Sequence, residues 1–111
     1  MKEYQLQKAV CKYLDLKNVL YCASMNGQYQ KYQSQRNKAK ATGMKRGVPD
    51  LFIYEPRGSY HGLAIELKVG YNKPTVEQLT WLNKLTERGY LAMTSNGLDQ
   101  TIEIIDTYLK F

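Results

Sequence analysis

The chain has 111 residues, 43% of them hydrophobic, which suffices for one core and leaves no length for a second domain. No apolar run approaches the roughly 18 residues of a membrane span, and the opening MKEYQLQKAV lacks the apolar stretch of an export signal. A soluble cytoplasmic domain, residues 1–111, is therefore expected, and its formal net charge of +6 favours a polyanionic partner.

Leu6, Val10, Tyr13 and Leu14 recur at helical spacing and predict a first helix from about Lys2 to Leu16. Glu3 shares their face, since the positions three, four and seven residues on are Leu6, Gln7 and Val10. An acid placed there either suits the helix dipole or turns toward the interior edge. Val19 to Ser24 reads as a strand and Asn26-Gly27 as the turn after it. Asn-Gly is a strong turn former, so plain turn chemistry accounts for Asn26. Cys11 and Cys22 lie at no metal-ligand spacing and read as reduced core residues, although a lone bridge stays open.

From about Gln28 to Thr42 the pattern is that of a polar helix, broken by Gly43 and Gly47. Between Gly27 and Gly47 stand Lys31, Arg36, Lys38, Lys40, Lys45 and Arg46 with no acid among them, so this segment alone equals the net charge. It forms either a solvated basic face or a phosphate-binding surface. The Gly43-Met-Lys-Arg-Gly47 link leads straight into Pro49-Asp50, which makes Lys38, Lys40, Lys45 and Arg46 the candidate nucleic-acid contacts. Tyr29 and Tyr32 either stack on unpaired bases or cover the core.

Asp50 to Tyr54 and Leu63 to Val69 are short apolar runs separated by Pro56, Gly58 and Gly62, which predicts a hairpin. Closed symmetrically about Gly58, it places Asp50 opposite Glu66 on one face, with Lys68 two residues on sharing that face. Two carboxylates and an ammonium make a poor packed core, whereas two oxygen donors suit a hard divalent cation. A lysine beside them orients a water or stabilises phosphate charge.

Thr75 would cap a helix from Val76 to about Arg88, and Gln78 completes the capping-box spacing. Trp81, Leu82 and Leu85 form its apolar stripe. Gly89 stops that helix, Tyr90 to Thr94 reads as a further strand, and Ser95-Asn96-Gly97 as a turn or cap. A last helix carries Leu98, Ile102, Ile105 and Leu109 on one stripe, and His61 falls exposed in the hairpin loop. The order αβα-ββ-αβα describes an α/β fold, a small mixed sheet with helices on both faces.

Pro49-Asp50 followed by Glu66-Leu67-Lys68 resembles the PD-(D/E)xK nuclease signature. With Glu3, Asn26-Gly27, Gly43, Gly47, Gln78, Trp81 and Gly89 around it, nearly the whole chain resembles the virus-type replication-repair nuclease (VRR-NUC) family, in its small stand-alone phage and bacterial form. The resemblance implies a restriction-endonuclease-like core and a DNA endonuclease dependent on Mg²⁺ or Mn²⁺. Glu3, Asp50, Glu66 and the Leu67 carbonyl would hold the metal, Lys68 would be the catalytic lysine, Gln78 would stand beside the site as an alternative to its capping role, and Ser24 or Asn26 would help shape its mouth. It further implies a homodimer acting on branched DNA such as Holliday junctions, in a bacterial cell or phage-infected host. Tyr4, Tyr13, Tyr60 and Tyr108 are candidates for its interface. A flap or single-strand-branch nuclease, a non-catalytic nucleic-acid-binding module and an assembly protein are the alternatives.

Overall fold

Leu6, Val10 and Leu14 are fully buried, as the helical spacing requires, and with Ile105 and Tyr108 of the last helix they form the helical half of the core. The computed structural model describes residues 1–24 and 33–111. The Asn26-Gly27 turn, Tyr29, Lys31, Tyr32 and residues 28–32 of the expected second helix lie outside that description. The elements are α1 (Glu3–Leu16), β1 (Tyr21–Ala23), α2 (Gln33–Ala41), β2 (Leu51–Ile53), β3 (Leu63–Lys68), α3 (Val76–Glu87), β4 (Leu91–Asn96) and α4 (Gly97–Leu109). Their order is the one expected from the sequence. Among the described residues no helix is long and apolar enough to cross a membrane.

The four strands lie side by side in chain order. β1 with β2 and β2 with β3 are antiparallel pairs, and β4 runs parallel to β3, with α3 as the crossover that a parallel connection needs. Alternation then decides which residues meet. Leu51, Ile53, Leu63, Ile65 and Leu67 point to one face and pack on α1 and α4. The opposite face carries Phe52, Ala64, Glu66 and Lys68, and α3 covers it over β3 and β4. Enclosed on both sides, β3 is buried at all six positions, the usual condition for charge to be excluded. Glu66 and Lys68 nevertheless stand inside it.

The hairpin register is the expected one: Leu51 pairs with Ile65, Phe52 with Ala64 and Ile53 with Leu63. Its tip is not symmetrical about Gly58. Arg57 and Tyr60 exchange backbone hydrogen bonds at 3.2 and 2.9 Å around Gly58-Ser59, one residue out of phase with the ladder. The extra residue falls on the side containing Pro56, which has no amide to offer a ladder.

Three further expectations are corrected. Ser95 and Asn96 continue β4 instead of forming a turn, with Asn96 at the expected cap position of α4, and Ser95 is buried because its hydroxyl meets that of Thr101 at 2.7 Å. The buried stripe of α4 runs through Thr101, Ile105 and Tyr108, with Ile102 only half-buried, because Thr101 satisfies its own hydroxyl on the Gly97 carbonyl at 2.7 Å. Tyr108 is thereby removed from any interface: it is wholly buried and donates its hydroxyl to the Glu55 carbonyl at 2.6 Å. Tyr13 and Tyr60 are also partly packed against the core, which leaves Tyr4 as the exposed member of that group.

Candidate active site

Asp50 stands at the entry to β2, one residue before the Leu51–Ile65 pair, so the ladder carries it opposite Glu66. Its Oδ2 accepts the Leu67 amide at 2.7 Å, and its carbonyl accepts the Ser24 amide at 2.8 Å. Ser24, expected near the mouth of the site, is thus held beside Asp50 at the end of β1. A carboxylate that takes a backbone amide cannot swing freely. The side chain is fixed from β3 and the backbone from the end of β1.

Burial at this patch is severe. Asp50, Glu66 and Lys68 retain 8%, 1% and 7% of their exposure. Lys68 Nζ lies 3.4 Å from Glu66 Oε2 and donates to Gln78 Oε1 at 2.9 Å. One ammonium faces two carboxylates, so the patch carries surplus negative charge whenever both acids are ionised. Desolvation, and then the neighbouring Asp50 carboxyl, push the Glu66 carboxyl up to about 8, with Lys68 acting in the opposite sense.

Glu3 completes the cluster from the first turn of α1. One carboxylate oxygen each from Glu3, Asp50 and Glu66 lie within 4.8 Å of one another, Glu3 being exposed and the other two buried. Its place on the face of Leu6 and Val10 turns it toward the end of the sheet. Glu66 Oε1 has no hydrogen-bond partner among the described residues, although a buried polar atom ordinarily has one. Converging oxygen donors, surplus negative charge and an unpartnered buried oxygen are the properties of a site for a hard divalent cation. At Leu67 the contact seen is through its amide, which is bound to Asp50.

Gln78 reaches Lys68 because α3 starts where it does. Thr75 Oγ1 accepts the Gln78 amide at 3.2 Å, and Gln78 Oε1 accepts the Thr75 amide at 2.9 Å, a complete capping box. The sequence offered capping and a place beside the site as alternatives. The structure gives the same oxygen both.

Arg46, Gly47, Thr75, Glu77 and Gln78 line a polar cavity of about 310 Å³ on the outer side of this glutamine. Gly47 is forced there: its φ is +86°, and a Cβ would come within 2.6–2.9 Å of the Glu77 carbonyl group and the Gln78 nitrogen. Lys45 is exposed beside it, and Lys38 and Lys40 are exposed in the last turn of α2. An apolar groove of about 330 Å³ between β4 and α4, lined by Leu91, Met93, Ile104 and Phe111 among others, holds none of the candidate metal, catalytic or nucleic-acid-binding residues.

With this geometry in place, the comparisons with known proteins are decisive. The family profile described as the VRR-NUC domain matches residues 1–98. The chain belongs to the VRR-NUC family. A solved structure titled VRR_NUC domain protein is 31% identical with a TM-score of 0.76, over 99% of this chain and 89% of its own. A second, titled VRR_NUC domain, shares the fold at 22% identity and a TM-score of 0.63, covering 96% of each chain. No curated protein matches. The VRR-NUC assignment makes the domain a nuclease of the PD-(D/E)xK type, with DNA as its substrate, on a mixed four-stranded sheet flanked by helices.

Proposed function

We propose that this VRR-NUC domain is a metal-dependent DNA endonuclease in which Glu3, Asp50 and Glu66, with the Leu67 carbonyl, hold Mg²⁺ or Mn²⁺. The observation that carries the reading is the convergence of three carboxylates, one with an unpartnered buried oxygen, beside a buried lysine. A bound divalent ion there would polarise the scissile phosphate and make a water acidic enough to attack at neutral pH. Lys68 supplies a fixed positive charge at the same patch, where water is largely excluded and charge acts strongly. Its ammonium has three protons, and Gln78 Oε1 and Glu66 Oε2 account for two directions. The third is left for the attacking water or a phosphate oxygen.

DNA reaches the site along the basic segment. Lys38, Lys40, Lys45 and Arg46 contact the phosphates, and the polar cavity against Arg46 lies one side chain from Lys68. We read the substrate as branched DNA and the working form as a homodimer. One such site cuts one strand, and paired cuts across a symmetric four-way junction need two copies related by a two-fold axis.

Labelled duplex, flap, splayed and four-way DNA incubated with Mg²⁺, Mn²⁺ or EDTA test the reading, with wild type beside Lys68→Ala. Cleavage is expected with either metal, and its loss with EDTA and in Lys68→Ala. Cutting that survives either change removes the assigned site. Light scattering and a junction labelled on each strand in turn test the dimer, and a monomer that nicks only flaps overturns the junction reading alone.

A further inference from the structure

We propose that Thr75 is a positioning residue for this nuclease, holding the amide of Gln78 so that its oxygen faces Lys68. The proposal rests on the assignment of Lys68 above. A glutamine amide has two ends of similar shape and opposite hydrogen-bonding sense. Toward Lys68 only the oxygen serves, because an NH₂ group there would set donor against donor. Two N–H groups meet Gln78 Oε1, the Lys68 ammonium and the Thr75 backbone amide, each at 2.9 Å. The backbone amide at position 75 therefore rejects the flipped side-chain amide, a contact that any residue but proline would keep, so the threonine's own part is its hydroxyl. That hydroxyl ties down the other end of Gln78 by accepting its backbone amide at 3.2 Å.

Gln78 is thus held at its backbone and at its side-chain tip by one neighbour. An ordinary capping box ends at the cap. Here the acceptor is shared with a buried ammonium, so the device that starts α3 also sets where the lysine points. Thr75 is itself exposed, and its hydrogen bonds among the described residues are to Gln78, so its action runs through that residue.

A double-mutant cycle under saturating Mg²⁺ tests this, with Thr75→Ala, Gln78→Leu, the double variant and Thr75→Ser as rescue. Thr75→Ala should lower kcat by about tenfold, the lower end for a group that supports a reacting residue, while leaving KM nearly unchanged. Thr75→Ser should restore it. In the Gln78→Leu background the same change should alter kcat by less than about twofold, because the two act as one unit. Equal losses in both backgrounds, or no rescue by serine, would overturn the proposal. A second readout needs no activity: the Gln78 side-chain NH₂ signals in metal-free, nitrogen-15-labelled protein. They should move in Thr75→Ala and in Lys68→Met. Signals unchanged in Thr75→Ala overturn the proposal whether or not the protein cuts DNA, whereas a protein with moved signals that cuts nothing sinks the nuclease reading alone.

Discussion

Asp50 and Glu66 face one another just past the end of the β2–β3 ladder, one residue beyond the Leu51–Ile65 pair. Carboxylates placed opposite in an antiparallel pair repel, and here the repulsion is exerted out of water. Such a pair persists where a cation repays it. Asp50→Asn and Glu66→Gln should each cut metal-dependent cleavage by more than about 100-fold, beyond the range for residues that only support a ligand. Both variants should fold, since the introduced asparagine keeps an oxygen for the Leu67 amide and the introduced glutamine keeps the shape of the acid. Calorimetric titration with Mn²⁺ alongside the cleavage assay checks that binding and activity fall together.

The metal-free protein should lose stability as pH rises. Glu66 titrates near 4.5 when unfolded and near 8 when folded. Between those values the folded chain retains a proton that the unfolded chain has lost, so raising the pH through this window favours unfolding. Thermal melts in EDTA from pH 5 to 8 should show the decline, Mg²⁺ should diminish it, and Glu66→Gln should flatten it. A melting temperature that rises across the window in EDTA would contradict the assignment.

Neutralising two of Lys38, Lys40, Lys45 and Arg46 should weaken binding to every DNA tested and reduce the slope of log K against log salt by roughly two. Sequence preference should stay as it was. Fluorescence anisotropy across a salt series measures both. An unchanged slope would assign these exposed side chains to the solvent.

Gly47→Ala should destabilise the fold by about 1–3 kcal/mol, the usual cost of forcing a side chain into a left-handed backbone conformation. The added methyl also meets the first turn of α3, so cleavage should fall further than stability accounts for. Urea unfolding and a cleavage assay well below the midpoint separate the two effects.

The hairpin register was legible because alternation and one pairing rule fix it: with Asp50 opposite Glu66, the ladder pairs through Ile53–Leu63 follow, and only the tip departs from the rule. The spacing of Leu6 and Val10 showed which face Glu3 shares, but a place for it beside the other acids came only from the family resemblance, since spacing alone fits a helix-dipole acid equally well. What eluded the sequence was polar burial. Thr101 and Ser95 look like surface or turn residues by type, yet each is buried on the other's hydroxyl, a pairing that depends on β4 and α4 meeting end to end. Tyr108 was misjudged for the same reason, since its partner is a carbonyl 53 residues away. The dual role of Gln78 was hidden too, because helix spacing shows the cap and cannot show that β3 brings an ammonium to the same oxygen.

Asp50, Glu66, Lys68, Thr75 and Gln78 all fall in one uninterrupted stretch of chain, and Glu3 alone comes from far away in sequence. Joining near neighbours costs little loop entropy, whereas bringing in a distant segment costs more. The hairpin and crossover helix should therefore acquire hydrogen-exchange protection on refolding before α1 is in place. The first helix would then arrive as the last piece, carrying the final carboxylate with it, so that competence to bind a cation becomes a late event in folding.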